Sequence, residues 1–299
     1  MTTGARKLIR PFLAAANRAA SLLTHRSGQY RILLFHHVPE EHYDAFEDVV
    51  RSLHRTDRLL SPIEAKSLTL AGGPARHPRD PVLLSFDDGF HSNLIVAERI
   101  LSRYQAQALF FVCPGLMDQP TSAQRGLIAS QIFEDKIQAN DIGDRRLLTW
   151  GEAARLLELG HVIGSHSLSH RRLSRLAPDE IETEVGEAAA MLRRRGFSAE
   201  WFAFPFGDVA SISPVALATI AKHHLLCRSG VRGINSPRGN PLTLCADHVD
   251  LDADPPWRNL AAEGALGLVY GSARRSLAKY ARLASEHAHD VLTKTARAE

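Results

Sequence analysis

Two histidines in this chain have the spacing that metal-assisted hydrolysis uses. His166 and His170 stand four residues apart in the stretch Ser-His-Ser-Leu-Ser-His. Two histidines and one carboxylate form a set of three ligands that suits zinc, with a fourth position left open for water. The histidines and one aspartate of the pair Asp87 and Asp88 fit such a set. Two histidines at this spacing can also simply share the surface of a helix, so the pattern alone is a weak indication.

The adjacent aspartates allow a division of labour at such a site. Successive side chains of a regular strand point to opposite faces, so Asp87 and Asp88 can serve one site only if the strand ends there and the chain turns. Gly89 supplies the backbone freedom for that turn. One carboxylate can then bind the metal while the other acts as a base near the activated water. A turn capped by acids is the alternative interpretation.

These polar residues follow apolar runs of strand length, which alternate with segments of helical spacing. The predicted strands cover residues 31–35, 82–86, 108–112, 161–165, 200–204 and 225–227. The predicted helices cover residues 44–55, 93–104, 150–159, 178–195 and 214–224. Strands alternating with helices indicate a parallel sheet. If that sheet forms an α/β barrel, the polar residues lie together at one mouth, because active sites of barrels are built at the carboxyl ends of the strands.

The composition is that of a globular domain and argues against a nucleic-acid-binding protein and a disulfide-rich one. The chain has 299 residues, 44% of them apolar and 23% charged, which is enough for one large core. A net charge of +3 and a pI near 8.9 are far from what nucleic-acid binders concentrate on one face, so we expect no nucleic-acid partner. The three cysteines, at 113, 227 and 245, are odd in number and widely spaced, and we interpret them as reduced core residues.

We expect one catalytic domain with a helix at each end. Residues 28–260 form the domain in this interpretation, residues 1–27 a basic amphipathic helix and residues 261–299 a helical extension. No apolar run reaches the roughly 18 to 20 residues of a membrane span, and residues 1–27 make a poor secretion signal. The expected location is the cytoplasm. We interpret the first helix as packed on the domain, and peripheral contact of this helix with the inner membrane face is the alternative.

Three stretches together resemble the main motifs of the polysaccharide deacetylase family, the NodB-homology domains of carbohydrate esterase family 4. They read Leu-Ser-Phe-Asp-Asp-Gly at 84–89, His-Ser-Leu-Ser-His at 166–170 and Phe-Ala-Phe-Pro-Phe-Gly at 202–207. Their order and separations also match, and the resemblance covers roughly residues 30–251. It implies an α/β fold, a distorted (β/α) barrel, and a divalent metal ion, with zinc as the first choice.

The resemblance also implies roles for single residues. Asp88, His166 and His170 are expected to hold the metal, and Asp87 is expected to be the catalytic base. The turn formed by Pro205, Phe206 and Gly207 is expected to contact the substrate, with the Phe206 backbone N–H donating to the oxyanion, which needs no side-chain hydroxyl.

The stretch Leu-Leu-Phe-His-His-Val at 33–38 resembles an early strand of the circularly permuted subgroup that includes biofilm poly-N-acetylglucosamine deacetylases. By that match His36 is the general acid, and the role of His37 stays open. A strand-end histidine that only caps the barrel is the alternative.

The chain departs from the commoner family pattern in two places. Many members have an arginine where this chain has Ala203, and that arginine orients the catalytic base. The sequence therefore does not show which residue orients Asp87. We interpret the change as variation of the subgroup. The Asp and Trp that support the acid histidine in the family have only weak candidates, namely Asp247, Asp250 and Trp257, with His248 nearby.

The implied function is removal of acetyl groups, foremost the N-acetyl group of an amino sugar, from a polysaccharide, an oligosaccharide or a glycan precursor. An O-acetyl esterase or a non-sugar amide hydrolase on the same metal site is an alternative. A catalytically decayed glycan-binding protein is another, and the presence of every expected ligand and acid–base residue argues against it.

Overall fold

The computed structural model describes residues 28–73, 77, 79–237 and 239–295. Seven strands form one sheet in the order β6-β5-β4-β3-β2-β1-β7, and neighbouring strands pair in parallel. The strands are β1 (Arg31–Phe35), β2 (Val82–Phe86), β3 (Ala108–Val112), β4 (Val162–Ser165), β5 (Trp201–Ala203), β6 (Leu226–Arg228) and β7 (Asp247–His248). The sheet curls into a half-barrel with helices around it, which confirms the predicted distorted (β/α) barrel in a single domain.

Helices connect the strands and cover the outer face of the sheet. The α-helices are α1 (Tyr43–Arg55), α2 (Pro62–Leu70), α3 (Ser92–Arg99), α4 (Thr121–Leu127), α5 (Trp150–Glu158), α6 (Pro178–Glu182), α7 (Ala188–Arg194), α8 (Pro214–His223), α9 (Pro255–Ala262) and α10 (Gly271–Thr295). Segments of π-helix lie at Ile128–Ile132 and Thr183–Glu187, and the longest 3-10 turns lie at Leu101–Tyr104 and Ala265–Tyr270.

The predicted elements agree with the observed ones except near the end of the sheet, and helices α2, α4 and α9 are not among the predicted ones. The bounds of β1, β2 and β3 are as predicted, because each is a fully buried apolar run. Strands β4, β5 and β6 differ from prediction by one residue at one or both ends. The two-residue strand β7 is not predicted from sequence. The helix predicted at residues 178–195 contains a π-helical segment between α6 and α7.

Alternate residues of the strands face two different cores. The inner face carries Ile32, Leu34, Leu83, Leu109, Phe111, Trp201, Ala203 and Leu226. On the outer face, Leu33, Phe35, Leu84, Phe86 and Phe110 pack against the helices. The inner residues fill the half-barrel below its mouth, so polar groups at the strand ends rest on an apolar floor.

The ends of the chain bear on several predictions. The helix predicted for residues 1–27, and its membrane contact, lie outside the described residues. Helix α10 packs Leu277, Ala281 and Ala284 into the core that contains α8.

None of the described helices combines the length and the apolar character that crossing a membrane requires. The three cysteines are buried and free, as predicted. The division of the chain at residues 28 and 260 stays a prediction.

Candidate metal centre and active site

The aspartate pair lies where β2 ends at the mouth of the half-barrel. Asp87 and Asp88 are both buried, and Asp88 takes a left-handed backbone conformation with φ 69°. Gly89 follows with φ 67°, and a Cβ there would lie 3.0 Å from Val112. This turn ends the alternation of the strand, as the sequence predicts, so both carboxylates reach the same mouth.

His166 and His170 follow β4, the second strand along the sheet from β2. The His166 Nδ1–H donates to the carbonyl of Ala203 at 2.7 Å, and the His170 Nδ1–H donates to the carbonyl of Gln131 at 2.9 Å. These bonds leave both Nε2 atoms free to serve as ligands and fix the direction of both rings. The two Nε2 atoms lie 3.4 and 3.3 Å from Oδ1 of Asp88.

The loop that carries the two histidines is held by buried hydrogen bonds. The His170 backbone N–H donates to Oγ of Ser167 at 3.0 Å, and both residues have positive φ. The buried carboxylate of Glu184 accepts from the backbone N–H of Ser169 at 2.9 Å and from its hydroxyl at 2.5 Å. The loop is therefore rigidly supported rather than a surface of a regular helix, which removes the alternative interpretation of the histidine spacing.

The three side chains fit a divalent metal ion. One potential ligand atom each from Asp88, His166 and His170 lies within 4.8 Å of the other two. Ligand atoms about 2.0–2.1 Å from a tetrahedral zinc are separated by roughly 3.3 Å. The two distances from Asp88 to the histidines match that separation, so a cation needs little rearrangement to bind here.

The electrostatics of this set favour a cation. Burial alone would raise the pKa of Asp88, but hydrogen bonds from His166 and His170 hold that pKa well below its usual range. Burial would lower the pKa of His166, yet the charges of Asp87 and Asp88 raise it. The carboxylates thus favour positive charge between the side chains, and a bound divalent ion would take the place of the protons.

Arg228 holds the side chain of Asp87. Its Nη2 donates to both oxygens of the Asp87 carboxylate, and the guanidinium lies 5.0 Å from the centre of the Phe111 ring. Both residues of the pair are buried, so each charge depends on the other for compensation. Arg228 thus gives Asp87 an arginine partner, although the family's usual arginine is replaced by Ala203 in this chain.

Sequence reasoning missed Arg228, although a signal for it exists. Ala203 is the last residue of β5 and Arg228 is the last of β6, and the two are direct partners in the parallel register. The predicted strand ended one residue earlier, at Cys227. A search for arginines at the ends of neighbouring strands, rather than only at the family's position, would have found it.

His36 and His248 lie together on the other side of the mouth. His36 follows β1, and its ring centre lies 5.5 Å from that of His248 on β7. His36 is close enough to Asp88 to favour the ionised carboxylate and so lower its pKa. The structure therefore brings His36 to the mouth with the two aspartates, and His248 joins it there.

His37 points away from this group. Its Nδ1 lies 3.0 Å from Oγ of Ser92, its Nε2 lies 3.2 Å from Oδ1 of Asp144, and its ring packs on Phe90. These contacts give His37 a structural place between β1 and α3.

Two of the weak candidates for support of His36, Asp247 and Asp250, bond to other residues. Asp247 is buried against Arg31, whose Nη1 lies 3.1 Å from its Oδ2. Asp250 accepts a hydrogen bond from the backbone N–H of Asp252, and Trp257 lies in the first turn of α9. Within the described residues, His248 is the ring that packs on His36.

The Pro-Phe-Gly turn after β5 borders the candidate metal ligands. Phe206 has φ 65°, and its ring centre lies 4.7 Å from that of His170. Gly207 has φ 67°, and a Cβ there would lie 2.6 Å from the backbone nitrogen of Gly230. Pro205 and Gly207 are buried and shape the turn, so Phe206 is the member of the three that a ligand can reach.

Comparisons with known proteins agree with this geometry. A family model described as polysaccharide deacetylase matches residues 75–223, which include the aspartate pair, both histidines and the turn at Phe206. No curated protein matches the chain at a significant level.

Three solved structures illustrate the fold that this chain shares. The Streptococcus pyogenes deacetylase PplD in complex with acetate is 22% identical, with a TM-score of 0.62, over 80% of this chain and 99% of that one. IcaB from Ammonifex degensii is 18% identical, with a TM-score of 0.59, over 80% and 98%. The BpsB deacetylase domain from Bordetella bronchiseptica is 16% identical, with a TM-score of 0.58, over 76% and 98%. At these identities the likeness concerns the fold, and it is the family model that identifies the chain as a member of the polysaccharide deacetylase family.

Proposed function

We propose that this chain is a metal-dependent hydrolase that removes acetyl groups, foremost the N-acetyl group of an amino sugar, from a polysaccharide, an oligosaccharide or a glycan precursor. One observation carries the proposal: the buried set of Asp88, His166 and His170 lies beside a second carboxylate, Asp87, that is held by Arg228. A metal site with an adjacent, separately supported base is what hydrolysis by an activated water requires.

The metal site and the base have separate tasks in this proposal. A divalent ion held by Asp88, His166 and His170, with zinc as the first choice, would supply a Lewis acid and lower the pKa of a bound water to about 7. Asp87 accepts the proton of the attacking water. Because Arg228 bonds both oxygens of Asp87, that carboxylate is held in a fixed orientation at the mouth.

Two further groups complete the proposed reaction. The backbone N–H of Phe206 donates to the oxygen that becomes negative when water attacks the acetyl carbon. His36 then protonates the leaving amine of the sugar, and acetate is released. The position of His36 at the mouth, near Asp88 and packed on His248, supports this role.

Acetate release from a panel of N- and O-acetylated glycans tests the proposal. We expect release by metal-loaded wild type and a loss of at least about 1,000-fold in Asp88→Ala, since this variant loses a ligand. We expect Asp87→Asn to lose turnover to a similar degree while metal content, measured by elemental analysis, stays stoichiometric.

The outcomes separate the alternatives. Release from O-acetyl but not N-acetyl substrates would make the chain an esterase on the same site. Absence of stoichiometric metal in wild type, together with binding of glycans without release, would point to a decayed glycan-binding protein. Wild-type rates in Asp87→Asn would remove that residue from the role of base.

A further inference from the structure

A cleft of about 270 Å³ opens directly beside the metal ligands. His170 and Phe206 line both the cleft and the proposed catalytic mouth. A sugar whose acetyl group lies at the metal site would therefore place its neighbouring substituent in or next to this cleft.

Two loops that carry none of the proposed acid–base residues form the walls of the cleft. The segment between β3 and α5 contributes Ser130, Gln131 and Glu134, and the loop after β4 contributes Arg171, Arg172 and Arg175. Gln131 also accepts the hydrogen bond from His170, so the wall is fixed to the metal site. The three arginines and one glutamate give the lining a positive balance.

Arg172 is committed to structure. Its Nε lies 2.5 Å from Oε1 of Glu134, its Nη1 lies 2.8 Å from Oγ of Ser211, and its guanidinium lies 3.8 Å from the centre of the Phe206 ring. The bonds from Arg172 and Lys136 lower the pKa of Glu134 to about 2, so this acid stays ionised and neutralises Arg172. With Arg172 on one side and His170 on another, Phe206 is held in place.

Arg171 and Arg175 remain for a ligand. Arg171 lies on the surface, and its Nη2 is 2.8 Å from Oε1 of Glu180 in a pair whose side chains are 43% and 41% exposed. Such an exposed pair is weak and is easily exchanged for another partner. Arg175 is exposed and forms no ion pair within the described residues. The guanidinium groups of Arg171 and Arg175 thus border one cleft, and few acidic side chains compete with a ligand for them.

We propose that this cleft binds an anionic substituent of the substrate, a phosphate or carboxylate group attached next to the acetylated sugar, through Arg175 and Arg171. Guanidinium groups bind the oxygens of phosphate and carboxylate through paired, charge-assisted hydrogen bonds. A phosphate would belong to a glycan precursor, and a carboxylate would belong to an acidic sugar of a polymer. The inference rests on the proposed function and narrows its substrate class.

Matched substrates test this assignment. The set consists of a neutral trimer of an N-acetylated amino sugar, the same trimer with a phosphate on its reducing-end sugar, and a trimer in which a uronic acid replaces one neighbour. We expect metal-loaded wild type to favour at least one charged trimer by about tenfold in kcat/KM, and this preference should fall as salt rises. The charged trimer that is favoured shows whether the cleft prefers a phosphate or a carboxylate.

Arginine variants locate the preference. We expect Arg175→Gln to remove most of the ratio between charged and neutral trimers, and the double variant Arg171→Gln/Arg175→Gln to remove all of it. Arg194→Gln is the matched control, because Arg194 is an exposed arginine at the end of α7, outside the cleft, and it should change neither rate. Equal rates with charged and neutral trimers in wild type, or a ratio that survives in the double variant, would overturn the proposal.

A binding measurement separates failure of this inference from failure of the proposed function. If neither the glycan panel nor any trimer releases acetate, the deacetylase proposal fails, and calorimetry with the same three trimers still decides the cleft. Tighter binding of a charged trimer that is lost in Arg175→Gln supports the anionic cleft. Equal binding of all three trimers overturns it.

Discussion

The two sides of the catalytic mouth are built in different ways. On the side of the candidate metal site, the three potential ligands come from two short stretches, and the backbone of the neighbouring turns directs them: a turn at Asp88 and the supported loop from His166 to His170. On the acid–base side, the contacts join parts of the chain that are distant in sequence: Arg228 reaches Asp87 over 141 residues, and His248 packs on His36 from β7, the edge strand that pairs with β1. The candidate ligands can thus be recognised from short stretches of sequence, whereas the partners of the proposed base and acid depend on strand register.

The largest effect is expected when Arg228, the partner of Asp87, is removed or transferred to the neighbouring strand. We expect Arg228→Ala to lower kcat by about 100-fold with metal content unchanged, because Asp87 would lose its only described arginine partner. The double variant Arg228→Ala/Ala203→Arg places an arginine on the register partner in β5 and should recover part of the rate.

Stability has to be followed in the same variants. Removal of one member of a buried ion pair costs about 3–5 kcal/mol, so thermal unfolding is measured beside activity. Arg228→Lys keeps a positive charge with less disturbance and should fall between wild type and Arg228→Ala. If Arg228→Ala stays folded and retains the wild-type kcat, Arg228 has no role in positioning the base.

The second prediction concerns the histidine pair. The observed contact of His248 with His36 is between rings, so we expect His248→Phe to keep most of the rate and His248→Ala to lose about tenfold in kcat with little change in KM. Both variants should bind metal like wild type, since His248 is not one of the proposed ligands. Equal losses in the two variants would show that a ring nitrogen, rather than packing, is what His36 needs.

The smallest effect on activity is expected at the opposite end of β4. His161 precedes this strand and lies away from the mouth; it is buried, and burial lowers its pKa to about 4. An unfolded histidine takes up a proton below about pH 6.5, whereas folded His161 does so only below about pH 4. The unfolded state therefore binds more protons between these values, and the free energy of unfolding falls as the pH drops through them.

We expect His161→Gln to reduce that pH dependence while leaving kcat unchanged. The depressed pKa corresponds to at most about 3 kcal/mol, which urea unfolding at pH 7 and pH 4.5 can measure. Glutamine retains an oxygen that can accept the Ala108 N–H, which bonds Nδ1 of His161 at 3.2 Å. The matched control is His54→Gln, at an exposed histidine of α1. The same pH slope in wild type and His161→Gln would contradict the assignment.

What could be predicted from the sequence follows the same division. The runs that form β1, β2 and β3 are apolar throughout, so their bounds are evident, and the order of the motifs indicates the barrel. Strand β7 has only two residues, one of them the buried acid Asp247, and gives no apolar signal. Without β7 and the register of β6, neither His248 nor Arg228 could be assigned, because cross-strand partners are not encoded by local spacing.

The left-handed turns around the mouth have a consequence for how this protein can change. Asp88, Ser167, His170 and Phe206 all have φ between 65° and 69° without being glycine. Such conformations cost about 1 kcal/mol or more each, a sizeable share of the roughly 5–15 kcal/mol by which a folded domain is usually stable. Glycine would relieve each of them and would remove a side chain that the mouth uses. Selection for thermal stability and selection for activity therefore oppose one another at these four positions. Stabilising substitutions are better sought in the helices and the outer core of this protein.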